Sequence, residues 1–294
     1  MLKGSFTALI TPFKDGKIDE ESFRSFIDFQ IDKGIHGVVP VGTTGESPTL
    51  SHEEHKQAVE ICIDQVNKRV PVIAGTGSNN TEEAIDLTHH AEKSGADAAL
   101  IVTPYYNKPT QRGLYEHYKK IADEVSIPQI LYNVPGRTSV DMLPDTVKDL
   151  STHPNIIGIK EASGNLERSK EILEKCSDNL SIFTGDDKTS ARDILMGFRG
   201  NISVTANVVP LEMHNMCRLA SEGRESEAQK INTKIDILHD NLFIESNPIP
   251  VKWALNRMNL IKKGIRLPLT WLDEKYEKTL EDSLIKANII SKKQ

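Results

Sequence analysis

Several classes of protein are excluded by what this sequence lacks. Its 294 residues include only three cysteines, Cys62, Cys176 and Cys217, far apart and in no CxxC or Cys/His set. That excludes a disulfide scaffold and a cysteine-ligated metal. It fits a reduced cytoplasm, with each thiol serving as a small apolar core residue. Basic residues are in the minority: Lys plus Arg number 36 against 42 Asp plus Glu, a net charge of −6. Nucleic-acid backbones and anionic membranes select a basic face, so neither is an expected partner. No run approaches the ~20 apolar residues of a membrane span. The apolar stretch after Met1–Phe6 stops at Thr11-Pro12 with no small-residue cleavage site, so no signal peptide is expected. Pro/Gly/Ser linkers and low-complexity segments are missing too. The expectation is a cytoplasmic protein.

What is present is a repeating pattern. At 38% hydrophobic residues the chain can bury a core, since larger chains hide a larger share of their surface. Its length allows one large domain or two ordinary ones. Eight short apolar runs, Phe6–Thr11, Gly37–Val41, Val70–Ala74, Ala98–Thr103, Gln129–Val134, Ile156–Ile159, Leu180–Phe183 and Ile202–Thr205, recur at the spacing of βα units. Continuous apolar runs suit parallel strands covered on both faces. The stretches between them read as helices. Asp19–Lys33 opens on acidic residues and stops at Gly34. Ser51-His52-Glu53-Glu54 is a capping box, and Asn80-Thr81-Glu82-Glu83 a looser one. Pro144 and Pro210 stand where helices begin. Eight such units make either a (β/α)8 TIM barrel or a very large open sheet, and the even spacing favours the barrel. The expected division is a catalytic barrel over 1–223 and a C-terminal helical appendage over 224–294, whose Asn247-Pro248-Ile249-Pro250 segment returns to the barrel mouth.

In a barrel the chemistry gathers at the C-terminal strand ends. Lys160 follows the sixth apolar run, and no other run ends in lysine. A lysine there either snorkels to solvent or points into the mouth, where desolvation favours the neutral amine that attacks a carbonyl. Tyr132, ending the neighbouring run, is either a core ring with its hydroxyl at the rim or a proton shuttle. Arg137, in a Pro-Gly turn, is either an exposed loop residue or a clamp for a carboxylate. The backbone N–H groups of Gly42-Thr43-Thr44-Gly45-Glu46 can bind an anion, but the loop lacks the lysine of a P-loop. His52-Glu53-Glu54-His55 spaces its histidines by three rather than four, which argues against a zinc protease. Asp186-Asp187 reads as capping the following helix rather than as a metal site.

Together these pieces resemble the pyruvate-dependent class I aldolases and lyases that form a Schiff base through a lysine. The likeness is carried by Gly4–Pro12, Gly42–Glu46, Val102–Pro109, Tyr132–Arg137, Gly158–Ala162, Gly185–Asp187 and Asn247–Lys252, which span nearly the whole chain. Gly-Thr-Thr-Gly-Glu, Tyr-Asn-x-Pro-x-Arg and Lys160 at this spacing form a specific signature. The resemblance implies that Lys160 forms an imine with pyruvate, and that Tyr132 donates and accepts protons. It makes Thr43 and Tyr106 a relay, with Tyr106 reaching in from a neighbouring subunit. It gives Thr44 the pyruvate carboxylate and places the Ile202 backbone and Gly185 against the substrate. Arg137 favours the branch that condenses pyruvate with L-aspartate 4-semialdehyde, in the diaminopimelate route to lysine. Sialic-acid lyases lack that arginine, and a sugar chain offers hydroxyls rather than an amino-acid carboxylate. The resemblance also implies no cofactor, no metal, and a homotetramer built as a dimer of dimers. Ser47, His52, His55, Asn79, Glu83 and Tyr105 match positions that bind L-lysine as a feedback inhibitor; the alternative is that the two histidines are ordinary first-turn helix residues. A catalytically silent barrel that only senses an amino acid is the competing class, and the presence of Lys160, Tyr132, Thr43 and Thr44 argues against it.

Overall fold

The computed structural model describes residues 2–176 and 178–291. Eight parallel strands form a nearly closed TIM barrel: β1 (Gly4–Ala8), β2 (Gly37–Val39), β3 (Ile73–Gly75), β4 (Ala98–Val102), β5 (Gln129–Asn133), β6 (Ile156–Glu161), β7 (Ser181–Thr184) and β8 (Gly200–Ser203). Their hydrogen-bonded order is β2-β1-β8-β7-β6-β5-β4-β3. A single parallel bridge, Val38 to Val72, carries the wall from β2 to β3. Parallel neighbours need a crossover, and a helix follows each strand: α1 (Glu20–Asp32), α2 (His52–Val66), α3 (Thr81–Ser94), α4 (Gln111–Glu124), α5 (Pro144–Leu150), α6 (Leu166–Cys176), α7 (Ser190–Leu195) and α8 (Pro210–Ser221). Three more helices complete the described chain: α9 (Glu225–Asn241), α10 (Ile249–Arg257) and α11 (Glu274–Lys286). Of these, α9 packs on α8 and α11 on both α9 and α10. Among the described residues no helix is long and apolar enough to cross a membrane, and the three cysteines are buried and free.

Both faces of each strand are buried, which is why the runs are apolar without alternation. Inside the barrel, Phe6, Val39, Ile73, Leu100, Ile130 and Phe183 fill the interior, with Phe6 edge-on to Phe183 at 5.6 Å. Their neighbours Val38, Ala74, Ile101, Leu131 and Ile182 turn outward onto helix residues such as Phe23, Phe26 and Ile121.

The strand limits differ from the apolar runs for identifiable reasons. Leu9 and Ile10 are fully buried but lie past β1, and the Ile10 N–H goes to the Asn207 side chain at 3.2 Å. β2 stops at Val39 because Pro40 has no N–H to donate and Val41 turns left-handed at φ 49°. β3 begins after Val72, whose N–H is taken by Asp97 Oδ2 at 2.8 Å. β6 runs on through Glu161, so Lys160 is a strand residue rather than the first loop residue. After β1, Phe13–Lys14 pairs with Lys17–Ile18 in a small hairpin that no apolar run signals. Its Asp15-Gly16 turn, left-handed at both positions, is the ordinary signal for such a hairpin.

The caps follow the sequence reading in part. Ser51 forms both halves of a capping box with Glu54, a feature that contributes about 1 kcal/mol. Asn80 caps α3 through the Glu82 N–H, but the box is not reciprocal, because Glu83 takes the Ser78 hydroxyl at 2.7 Å instead. Pro144 and Pro210 open α5 and α8. The reading of Asp186-Asp187 as a helix cap needs correction. The N-cap of α7 is Thr189, which makes no side-chain cap bond. Asp186 accepts from the Thr189 N–H, while Asp187 turns away to the backbone after β8.

Candidate active site

A register irregularity brings Tyr132 and Lys160 side by side. Between Gln129 and Ile130 the β5–β6 pairing skips Ile157, so Ile130 meets Gly158 and Tyr132 meets Lys160. In-register partners of a pleated sheet share a face. Here both side chains sit in the barrel, Lys160 6% exposed and Tyr132 7%, with Lys160 Nζ 4.3 Å from the Tyr132 ring centroid. Beside them, Gly185 leaves room that no other residue could: a Cβ there would stand 2.6 Å from Lys160 Cε and 2.7 Å from Ala162 Cβ. Lys160, Thr43, Thr44, Tyr132, Arg137 and Gly185 line one cavity of about 360 Å3 at the strand ends.

The Thr43-Thr44 turn is held from below and from the distant C-terminal region. Val41 and Glu46 are left-handed at either end of it, and a Cβ on Gly45 would meet Val41 Cα at 2.9 Å. The buried Glu46 carboxylate accepts from Lys252 Nζ and from the Arg266 N–H. Lys252 Nζ also donates to the Thr11 carbonyl at 2.8 Å and lies 4.2 Å from the Phe13 ring centroid. Burial pulls the Lys252 ammonium down to about 8 even with Glu46 opposing that effect. Arg266 grips Glu54 with two bonds of 2.6 Å and holds that carboxyl at about 2. Asn247 joins the two ends of the cavity: its Nδ2 donates to Thr44 Oγ1 at 2.9 Å, and its carbonyl accepts from Arg137 at 3.4 Å. Arg137 itself sits on a one-turn helix, Pro135–Thr138, exposed at the rim.

Two expected residues are not among those lining this cavity. Tyr106 lines neither this cavity nor its neighbour; it projects 89% exposed from a left-handed position. Ile202 lies in β8 inside the barrel, paired with Phe6 of β1 and packed in the interior cluster.

The comparisons with known proteins give this geometry its context. The model of the dihydrodipicolinate synthetase family matches residues 1–287. The chain belongs to this family. A 4-hydroxy-tetrahydrodipicolinate synthase of Pseudomonas aeruginosa is 53% identical over 292 residues, covering 99% of this chain and 100% of the relative. The chloride-inhibited dihydrodipicolinate synthase of Acinetobacter baumannii, solved with pyruvate, superposes with a TM-score of 0.98 at 52% identity, covering 99% and 100%. A family member from Cyanidioschyzon merolae with lysine bound superposes at 0.95 and 36% identity, covering 98% and 99%. Like the family's other members, this chain is a Schiff-base-forming lyase.

A second cavity of about 210 Å3 adjoins the first and shares Thr43, Tyr132 and Arg137 with it, and Ser47 and Tyr105 line it. Asn79 donates to the Tyr105 carbonyl at 3.1 Å. Glu83 is bound to Ser78. His55 is buried, and burial pushes its imidazole down to about 4. His52 is exposed at the start of α2 and lines neither cavity. The six positions expected to bind lysine are thus partly gathered at this second cavity. The sequence reading missed Lys252 and the bridging role of Asn247. The one signal for Lys252 was a lone lysine inside the apolar run Pro250-Val251-Lys252-Trp253-Ala254-Leu255.

Proposed function

We propose that the protein condenses pyruvate with L-aspartate 4-semialdehyde, as a 4-hydroxy-tetrahydrodipicolinate synthase of lysine biosynthesis. The observation that carries this reading is the Lys160 amine over the Tyr132 ring, in a cavity that also holds Thr44 and Arg137. The amine adds to the pyruvate ketone and water leaves, giving an imine. A methyl proton departs to give an enamine, the imine nitrogen acting as electron sink. The enamine carbon attacks the aldehyde. The acceptor's own amine then adds to the imine carbon and releases Lys160 as the ring closes. Tyr132 carries the protons, and burying the pair excludes competing water. Thr44 and the amides of its loop hold the pyruvate carboxylate, and Arg137 holds that of the semialdehyde. Gly185 shapes the wall against the pyruvate carbons, and Ile202, its side chain packed in the barrel interior, meets the substrate through its backbone.

The reading extends to assembly and control. Tyr106, too exposed to serve its own chain, joins Thr43 and Tyr132 in a relay across a subunit contact, within a cytoplasmic homotetramer. The described residues of 1–223 make up the catalytic barrel, and those of 224–294 the helical region that holds its loops. L-lysine binds at the second cavity and inhibits, a reading supported by the relative solved with lysine bound; the His55→Ala variant then needs more lysine for half-inhibition. The deciding assay supplies pyruvate with either L-aspartate 4-semialdehyde or N-acetylmannosamine. Turnover with the semialdehyde alone is expected, and preference for the sugar would contradict the reading.

A further inference from the structure

One wall of the Lys160 cavity is acidic, and the steps above leave it unused. β7 is followed by Gly185-Asp186-Asp187, and both carboxylates line the cavity. Asp187 is 3% exposed. Its Oδ2 accepts from the N–H groups of Val204 and Thr205 at 3.0 and 2.8 Å, which pins the side chain. Its Oδ1 is buried and, among the described residues, has no hydrogen-bond partner. Burying a carboxylate oxygen without a partner is costly, so such an oxygen in a cavity wall is suited to a ligand that arrives with a donor. Of the cations close by, Lys188 pairs with Asp240 at 2.6 Å, and Lys160 is committed to the pyruvate imine in the condensation proposed above. His239, on the same wall, meets Thr205 Oγ1 at 3.0 Å and Asn232 Oδ1 at 3.3 Å, and its burial favours the neutral imidazole. The Asp186 carboxylate accepts from the backbone N–H of Thr189 at 3.1 Å and forms no ion pair among the described residues.

We propose that Asp187, with Asp186 beside it, receives the ammonium group of the acceptor, making the enzyme specific for an α-amino aldehyde. The inference rests on the condensation proposed above and deepens it. One cavity then offers Arg137 to the acceptor's carboxylate and an unpaired carboxylate to its ammonium, so both charges of the zwitterion are gripped. A sugar aldehyde brings no cation to this wall and leaves Asp187 Oδ1 unpaired. Failing to satisfy a buried polar group is a strong means of rejection.

The test compares L-aspartate 4-semialdehyde with succinate semialdehyde, the same chain without the ammonium. The Asp187→Asn variant keeps an oxygen for the two backbone donors and replaces Oδ1 with an amide. Its KM for the amino aldehyde is expected to rise at least about tenfold. The KM for pyruvate and the inhibition constant of succinate semialdehyde should stay within about twofold. A semialdehyde KM close to that of the unsubstituted enzyme, or equal weakening toward both aldehydes, overturns the proposal. The unsubstituted enzyme gives a check that needs no variant: it should bind succinate semialdehyde at least about tenfold more weakly, and equal binding also overturns the proposal. Borohydride with pyruvate should label Lys160 in both proteins. No label in either defeats the imine reading, and the aldehyde comparison judges the ammonium site separately.

Discussion

The protein buries two lysines near the barrel mouth, and their surroundings differ in the way that matters. Lys252 is wholly enclosed, clamped between the Glu46 carboxylate, the Thr11 carbonyl and the face of Phe13. Lys160 is almost as buried, yet among the described residues it forms no ion pair; its neighbours are a tyrosine ring and the open space left by Gly185. A buried ammonium needs its partners. Where they are supplied in full the lysine is a strut; where they are withheld inside a cavity, the lysine is the one proposed to react. Burial alone therefore does not distinguish the two.

The sharpest way to break this comparison is to exchange roles. Lys160→Ala is expected to lower kcat by roughly four orders of magnitude, because the covalent route is lost, with the melting temperature nearly unchanged. Lys252→Met should do the reverse. It leaves Glu46 buried without its ammonium, at a cost of about 3–5 kcal/mol, read as a lower denaturant midpoint, while pyruvate still forms the imine. A large loss of stability from Lys160→Ala, or none from Lys252→Met, would erase the distinction. Gly185→Ala comes next. Its Cβ displaces the Lys160 stem, and kcat/KM for pyruvate should fall roughly a hundredfold, with little change in melting temperature. Smallest is the outer buttress of the clamp. Arg266 holds the folded-state Glu54 carboxyl at about 2 against an ordinary 4.5. A lowered carboxyl pKa contributes stability that is present in full above about 4.5 and fades as pH falls toward 2. Glu54→Gln should cost about 1 kcal/mol at neutral pH, the pair being partly exposed. The difference from the parent should vanish in urea titrations near the acid end of that window.

The comparison also explains what the sequence could reveal. The barrel was legible because strands buried on both faces write eight separate apolar runs, and each run is a local property. Lys160, Tyr132 and the Thr43-Thr44 turn were legible because the fold puts strand ends together. Strand limits were less so: apolarity reports burial, and Leu9, Ile10 and Val41 are buried without belonging to strands. The clamp was out of reach. Glu46 and Lys252 lie 206 positions apart, and no periodicity links a buried lysine in α10 to a loop after β2. Asp187 misled for a similar reason. An Asp pair before a helix looks like a cap, while its real backbone partners follow β8.

One measurement weighs the central claim directly. The protein is incubated with pyruvate, reduced with borohydride, digested, and mapped by mass spectrometry. The account predicts a reduced pyruvate adduct on the peptide carrying Lys160 and none on the peptide carrying Lys252. An unmodified Lys160, or an adduct confined to any other lysine, would contradict it.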